Sequence, residues 1–163
     1  MDPGGPALRQ ALDGDGDALI ALIAACYSEY PGCILDVDRE EPALRAIATD
    51  FGARGGRFWV AEEAGKVVGC VGAVPSRAPG GMELKKLYVA REARRLGLGA
   101  RLEGMVEAEA RARGADHVEL WSDTRFLDAH RLYERLGYVR GLATRELHDL
   151  SQSVEYYFRK RLC

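Results

Sequence analysis

A glycine-rich segment between a strand-like and a helix-like stretch is the part of this chain best suited to bind a ligand. The segment reads Arg94-Arg95-Leu96-Gly97-Leu98-Gly99-Ala100, after the strand pattern of 83–89 and before the helix pattern of 100–113. Glycines let the backbone turn tightly, and the first N–H groups of a helix are unpaired and face phosphate oxygens well. The spacing therefore predicts a cradle for a pyrophosphate, with backbone donors in the loop and positive charge from its two arginines.

The spacing of the glycines excludes two well-known phosphate-binding loops. The P-loop of nucleoside triphosphate-binding proteins needs Gly-x-x-x-x-Gly-Lys-Ser/Thr, which is absent from the sequence. The dinucleotide fingerprint needs a third glycine, but Leu102 stands at that position and no early βαβ unit surrounds the loop. The pattern that remains is Arg-x-x-Gly-x-Gly, which follows a strand and opens a helix.

This pattern resembles the coenzyme A loop of the GCN5-related N-acetyltransferases, whose signature is Gln/Arg-x-x-Gly-x-Gly/Ala. A second stretch, Ala129-x-x-Leu132-Tyr133-Glu134-x-Leu136-Gly137-Tyr138, is similar to that family's second signature, a short helix with a tyrosine before a Gly-aromatic strand start. The resemblance covers roughly residues 7–162, nearly the whole chain. It implies an N-acetyltransferase that uses acetyl-CoA as its co-substrate.

Composition and charge limit the classes of protein to which this chain can belong. With 163 residues, 47% of them hydrophobic, the chain has the size of one domain, and we expect a single domain over 1–163. Its 23 Lys and Arg nearly balance 25 Asp and Glu, so no overall field draws it to nucleic acid or to an anionic membrane. No stretch approaches the ~20 apolar residues of a membrane span, and 1–6 lack a signal-peptide layout, so we expect a cytoplasmic protein.

The cysteines indicate reduced thiols and no metal centre. They stand singly, without a Cys-x-x-Cys pair and without a histidine at ligand spacing: Cys26, Cys33, Cys70 and Cys163. Cys33 permits a covalent acyl-cysteine route, although a half-buried thiol is the simpler interpretation. Cys70 lies in an apolar strand pattern and is predicted to be a core residue.

Hydrophobic periodicity predicts the elements that position the loop. Their order is β-α-α-β-β-β-α-β-α-β-β, an α/β domain of the α+β type with a mixed sheet. The resemblance implies that this central sheet is mostly antiparallel and flanked by helices. In the fourth strand the apolar positions change phase, from Met82 and Leu84 to Leu87 and Val89. A slip by one residue is what a β-bulge produces, so we predict a bulge near 85–87.

The resemblance assigns further coenzyme contacts to this strand. In the family, an irregularity separates the strand from the next one, and acetyl-CoA lies in the gap with its pantetheine arm bonded to the strand backbone. The coenzyme would then contact Leu87, Tyr88 and Val89, and also Phe126 and Ala129. Phe126 departs from the family pattern, which often has Asn there, so we expect one polar contact to the pantetheine arm to be absent.

Glu83 and Tyr133 are the catalytic candidates that the resemblance implies. An amine has a pKa of about 10.4 and a thiol about 8.5, so transfer between them gains from a base and an acid. Glu83 stands where several family members keep the base, and the alternative is a solvated glutamate paired with Lys85 or Lys86, a poor base. Tyr133 matches the tyrosine that protonates the leaving thiolate, and the alternative is packing in the core.

Fewer sequence features bear on the acceptor than on the coenzyme site. We expect direct transfer to the primary amine of a small molecule, since no extended basic or apolar groove is evident, with Tyr27, Tyr30 and Trp121 near the acceptor. A protein or peptide acceptor, a longer acyl group, and a non-catalytic acyl-CoA sensor on the same fold stay open. The presence of both Glu83 and Tyr133 favours an enzyme. A homodimer through the closing strands is plausible, because dimers are common among relatives.

Overall fold

The computed structural model describes residues 5–163, which form a seven-stranded sheet with helices packed on it. The strands are β1 Ala7–Gln10, β2 Arg57–Glu63, β3 Lys66–Pro75, β4 Gly81–Val89, β5 His117–Asp123, β6 Val139–Glu146 and β7 Val154–Arg161. The α-helices are α1 Gly16–Tyr27, α2 Val37–Glu40, α3 Ile47–Ala53, α4 Leu98–Ala112 and α5 Leu127–Arg135.

The sheet has the order β1-β2-β3-β4-β5-β7-β6, and every neighbouring pair is antiparallel except β4 and β5, which run parallel. The predicted fold class, a mixed and mostly antiparallel sheet flanked by helices, is therefore confirmed. The sequence predicts the second helix of its element order around 42–51, and the structure has there a 3-10 turn, Pro42–Ala46, followed by α3. The short α2 was missed, since its four residues give no helical period.

The bulge predicted for the fourth strand is present. Cys70 of β3 pairs with Tyr88, and Gly72 pairs with Lys85, so β4 has one extra residue between these pairs. Lys86 is this extra residue, and its backbone has a left-handed φ of 56°. The buried Cys70 thiol donates a hydrogen bond to the Lys86 carbonyl oxygen at 3.2 Å, so the core residue also holds the bulge in place.

Beyond their first residues, β4 and β5 separate. In the described chain their parallel ladder joins 81–83 to 117–119 and ends at Glu83 and Glu119. Since β5 pairs along its full length with β7, it turns away together with that strand. A gap therefore opens in the middle of the sheet, beside the bulge.

Helix α4 closes one face of the sheet next to this gap. Its residues Leu98, Leu102, Val106 and Ala110 are buried at four-residue intervals, as an amphipathic helix requires. The apolar face also includes the buried Glu103, which accepts a hydrogen bond from the Tyr138 hydroxyl at 2.8 Å. Burial raises the pKa of Glu103 to about 7. Within residues 5–163, no helix is both long and apolar enough to span a membrane.

Candidate active site

The glycine loop forms an open helix N-terminus. Gly97 precedes α4 with a left-handed φ of 77°, and among the described residues no side chain caps this end of the helix. The Arg101 N–H bonds the Gly97 carbonyl oxygen at 3.1 Å, so the N–H groups of 98–100 precede the first bond of the helix and stay free for a ligand. The geometry provides the anion-binding donors that the sequence predicts.

The space around the loop fits a bulky anionic ligand. A Cβ atom added at Gly97 would meet no heavy atom of the described residues within 4 Å. A Cβ atom at Gly99 would lie 2.9 Å from Leu132 of α5, so the loop and α5 approach closely there. Gly97 therefore leaves space for a ligand over the loop, and Gly99 allows α5 to pack closely against the loop.

A cavity of about 450 Å³ extends from this loop to the gap in the sheet. Apart from Leu96, the residues predicted to contact the coenzyme all line it: Leu87, Tyr88, Val89, Arg94, Arg95, Gly97, Leu98, Gly99, Ala100, Phe126 and Ala129. Leu96 is 72% exposed and lies outside the lining of this cavity, so its predicted contact stays a prediction.

The positive charge at the cavity differs from the prediction. The Arg94 guanidinium donates two hydrogen bonds to the two carboxylate oxygens of Glu29, at 2.7 and 2.6 Å. It also donates to the Val89 carbonyl oxygen at 3.0 Å. These bonds raise the pKa of the arginine and lower that of Glu29, so the charge of Arg94 is already balanced. The cavity lining also includes Arg95 and, on α5, two arginines that the sequence reading missed, Arg131 and Arg135. Their four-residue spacing on one helix was the available signal.

A second cavity of about 310 Å³ lies on the other side of the gap. The two cavities share the lining residues Leu87, Tyr88, Phe126 and Ala129, so they meet between the bulge of β4 and the start of α5. Glu83 and Tyr133 both line the second cavity, although they come from distant parts of the chain. An acyl group held at the junction would therefore be open to an acceptor from the second side.

Glu83 lies in this second cavity and forms an ion pair there. Its carboxylate is 2.9 Å from the Lys85 ammonium, and the two side chains are only 17% and 28% exposed. The pairing matches the alternative that the sequence left open, but the pair sits in the cavity and not on an open strand surface. A carboxylate in this position can accept a proton from a bound amine once the lysine shifts.

We expect Glu83→Gln to lower kcat by roughly 10²-fold, because the amide cannot accept the amine proton. The change is nearly isosteric and lies outside the first cavity, so the acetyl-CoA dissociation constant should change little. Stopped-flow or steady-state thiol release and calorimetry measure the two quantities. Turnover close to wild type at saturating substrate would remove Glu83 from the mechanism.

The position of Tyr133 is compatible with both roles that the sequence allowed. Its side chain is 4% exposed and its ring packs 5.7 Å from the Tyr138 ring and 5.6 Å from the Phe158 ring. Burial raises the pKa of Tyr133, so the hydroxyl keeps its proton at neutral pH, as a proton donor must. The ring is core, and the residue lines the second cavity at the same time.

The three predicted acceptor residues divide between the cavities. Tyr27 and Trp121 line the second cavity, but Tyr30 lines the first, where it packs on Phe126 at 4.8 Å. The Tyr27 and Tyr88 hydroxyls are 3.4 Å apart, and burial raises the pKa of Tyr27 to about 12. The prediction of Tyr30 as an acceptor contact therefore does not match its position on the coenzyme side.

Two loops are bonded to each other beside the second cavity. The Ser151 hydroxyl donates to the Ile34 carbonyl oxygen at 3.1 Å and accepts from the Ile34 N–H at 2.8 Å. The Leu150 N–H donates to Glu40 at 3.1 Å, and Arg125 donates to the Ser151 carbonyl oxygen at 3.1 Å. We call these two segments, 33–40 with α2 and the loop 147–153, the roof, since Cys33, Leu147, Asp149, Ser151 and Ser153 all line the cavity.

The thiol in the roof is poorly suited to carry an acyl group. Burial raises the pKa of Cys33, so the reactive thiolate is disfavoured. Nowhere in 5–163 do three or more His, Cys, Asp or Glu side chains form a group that could hold a metal ion. The site therefore offers a carboxylate and a phenol for proton transfer.

Comparisons with known proteins agree with this geometry. A sequence model of the acetyltransferase (GNAT) family matches residues 17–138. A protein described as "Probable N-acetyltransferase camello" from Xenopus tropicalis is 38% identical over 150 residues, which cover 87% of this chain and 68% of that protein. The human protein "N-acetyltransferase 8" is 40% identical over 127 residues, covering 76% of this chain and 54% of the relative. The chain thus spans only part of both relatives.

Solved structures show the same fold. An acetyltransferase of the GNAT family from Staphylococcus aureus Mu50 superposes with a TM-score of 0.81 at 20% identity, covering 96% of this chain and 99% of that one. The ribosomal-protein-alanine N-acetyltransferase from Brucella melitensis superposes with a TM-score of 0.73 at 22% identity, with the same coverage. At these identities the likeness concerns the fold alone.

Proposed function

The chain belongs to the acetyltransferase (GNAT) family, and on that premise we propose that it transfers the acetyl group of acetyl-CoA directly to the primary amine of a small molecule. The observation that carries the proposal is the pair of cavities that meet at the gap between β4 and β5. One cavity begins at a helix N-terminus suited to phosphates, and the other contains a carboxylate and a phenol. Such an arrangement suits a donor and an acceptor that react at the junction.

The first cavity supports the acetyl-CoA part of the proposal. The free N–H groups of 98–100 and the positive end of α4 would hold the pyrophosphate, with Arg95 and Arg135 adding charge. Arg131 is paired with Asp128 at 3.1 Å, so it adds less. The backbone of 87–89 lies along the gap and would hold the pantetheine arm. Bound acetyl-CoA supplies an activated thioester, and the chain supplies the position and the proton transfers.

Glu83 and Tyr133 would manage the protons. Glu83 accepts a proton from the ammonium form of the acceptor, which makes the nitrogen nucleophilic. Tyr133 donates its proton to the sulfur as the C–S bond breaks. Both side chains line the same cavity, and burial disfavours the thiolate of Cys33, so the proposed transfer is direct and forms no covalent enzyme intermediate.

The roof supports a small acceptor. A peptide needs an open groove in which its chain can continue on both sides of the reacting amine. Here the hydrogen bonds between Ser151 and Ile34 join the two loops that border the cavity, and its volume of about 310 Å³ suits a metabolite-sized molecule. The lining contains charges of both signs, among them Glu41, Glu155, Lys86 and Arg145, so a polycation is not specially favoured.

A thiol-release assay tests the proposal. Free coenzyme A is measured with a thiol reagent while acetyl-CoA is incubated with a panel of amino acids, polyamines, aromatic amines and short peptides. We expect release that depends on one class of small amine, and calorimetric binding of acetyl-CoA. Release with peptides alone would assign a peptide acceptor, and binding without any amine-dependent release would contradict transfer to a free amine.

A further inference from the structure

Two of the lysines in this chain line the second cavity, in which the acceptor amine is proposed to bind. The chain has four lysines, Lys66, Lys85, Lys86 and Lys160, and the cavity that contains Glu83 is lined by Lys85 and Lys86. A lysine side chain ends in a primary amine, which is the functional group that the proposed reaction acetylates. The protein therefore carries internal amines in the cavity where an external amine would bind.

Lys85 is the better placed of the two. Its amine is 2.9 Å from the Glu83 carboxylate, which is the proposed base. Lys86 is the extra residue of the bulge, and its amine pairs with Glu41, which lies beyond α2, at 2.6 Å. Of the two amines, Lys85 alone is therefore bonded to the group that would deprotonate the acceptor.

Lys85 also lies within reach of the junction between the cavities. Tyr88, which lines both cavities, pairs with Cys70, and Lys85 pairs with Gly72, so the two side chains lie on the same face of the sheet. The four-carbon stem of the lysine is flexible. Rotation about it would bring the amine from Glu83 towards the junction, where the acyl group would lie.

We propose that Lys85 is a self-acetylation site, at which the protein acetylates its own side chain when acetyl-CoA is bound and no external amine is present. This inference rests on the proposed function. It adds a modification site and an internal substrate to the cavity. Acetylation would neutralise Lys85 and break its ion pair with Glu83, which would leave the carboxylate free to serve an incoming amine.

The chemistry of the step is complete with the groups in the cavity. Glu83 takes one proton from the Lys85 ammonium, and the neutral nitrogen attacks the thioester carbonyl carbon. A C–N bond forms, the C–S bond breaks, and the sulfur takes the proton of Tyr133. The second nitrogen proton returns to Tyr133 through solvent, and Glu83 releases its proton, so acetyl-lysine, free coenzyme A and one proton are the products.

The four lysines make the experiment selective. Purified protein is incubated with acetyl-CoA that carries a deuterated acetyl group, without added amine, and labelled lysines are located by mass spectrometry of peptides over time. Simple chemical acetylation favours the lysine most open to solvent, which is Lys66, with a side chain 69% exposed against 28% for Lys85. We expect the label on Lys85 to accumulate at least about tenfold faster than on Lys66.

Two variants separate catalysed from uncatalysed labelling. Glu83→Gln should slow labelling of Lys85 by at least about tenfold, because the base is lost. Uncatalysed acetylation does not use the base, so it would not be slowed in this variant. Lys85→Arg keeps a cation beside Glu83 and should abolish the main label without moving it to Lys86.

The inference is overturned if Lys66 is labelled as fast as Lys85, or if Glu83→Gln leaves the Lys85 rate unchanged or higher. The amine panel is run on the same samples to separate the two claims. Amine-dependent thiol release without label on Lys85 overturns self-acetylation alone. Neither release nor binding of acetyl-CoA overturns the proposed function and this inference together.

Discussion

Gly97→Phe is expected to abolish measurable binding of acetyl-CoA while the protein stays folded. The ring would enter the open space over the loop, where a Cβ atom meets nothing within 4 Å among the described residues. It would displace the phosphates from the N–H groups of 98–100. Each hydrogen bond to a charged group contributes about 1.5–3 kcal/mol, so losing two raises the dissociation constant by roughly 10²- to 10⁴-fold. Isothermal titration calorimetry measures the change.

Gly114→Phe is the matched control for this experiment. Gly114 follows the other end of α4 with a φ of 72°, close to the 77° of Gly97, and a Cβ atom there also meets open space. The backbone strain of a side chain at positive φ, about 1–2 kcal/mol, is therefore common to both variants. The control should melt at a similar temperature to Gly97→Phe and bind acetyl-CoA normally. Binding retained in Gly97→Phe would mean that the ligand lies elsewhere.

The main features of the fold could be predicted because they depend on local patterns. The phase change between Leu84 and Leu87 indicated the bulge, which the structure shows at Lys86. Alternation and periodicity follow from the geometry of single strands and helices, and a signature loop keeps its spacing along the chain. These features therefore require no knowledge of what lies across the sheet.

The pairing of charges could not be predicted, because it depends on contacts between distant segments. Arg94 is 65 residues from Glu29, and nothing in the loop indicates that its charge is balanced. The position of Tyr30 on the coenzyme side depends on the direction in which the chain leaves α1, where the sequence shows only a turn. The contact of Ser151 with Ile34 spans 117 residues. Side chains that join distant segments at the site were therefore the hardest to predict.

The buried Glu103 shows a second limit of sequence reading. A glutamate next to Leu102 suggests the solvent side of an amphipathic helix, yet this side chain is 2% exposed. Its burial is possible because the Tyr138 hydroxyl, 35 residues away, donates to it. Tyr138 belongs to the same aromatic cluster as Tyr133, with rings 5.7 Å apart, so a substitution of Tyr138 provides a control for the proposed role of Tyr133.

Tyr133→Phe is expected to lower kcat by roughly 10²- to 10³-fold, with little change in melting temperature or in the acetyl-CoA dissociation constant. Phenylalanine keeps the ring contacts with Tyr138 and Phe158, so the core stays packed. The hydroxyl that would protonate the leaving sulfur is lost. Steady-state thiol release at saturating amine, thermal melting and calorimetry measure the three quantities separately.

Tyr138→Phe should show the opposite pattern, and this contrast decides the role of Tyr133. Removing the Tyr138 hydroxyl leaves the buried Glu103 carboxyl without its donor, which costs about 1–3 kcal/mol of stability. Since Tyr138 lies outside the residues that line the two cavities, kcat of the remaining folded protein should stay within about threefold of wild type. If both variants lose stability and keep turnover, Tyr133 is a packing residue and another group, such as water, protonates the thiolate. If Tyr133→Phe alone loses turnover and keeps its melting temperature, the hydroxyl acts in the reaction. Phenylalanine at position 133 keeps the burial and the ring packing of tyrosine, so only the hydroxyl has been removed.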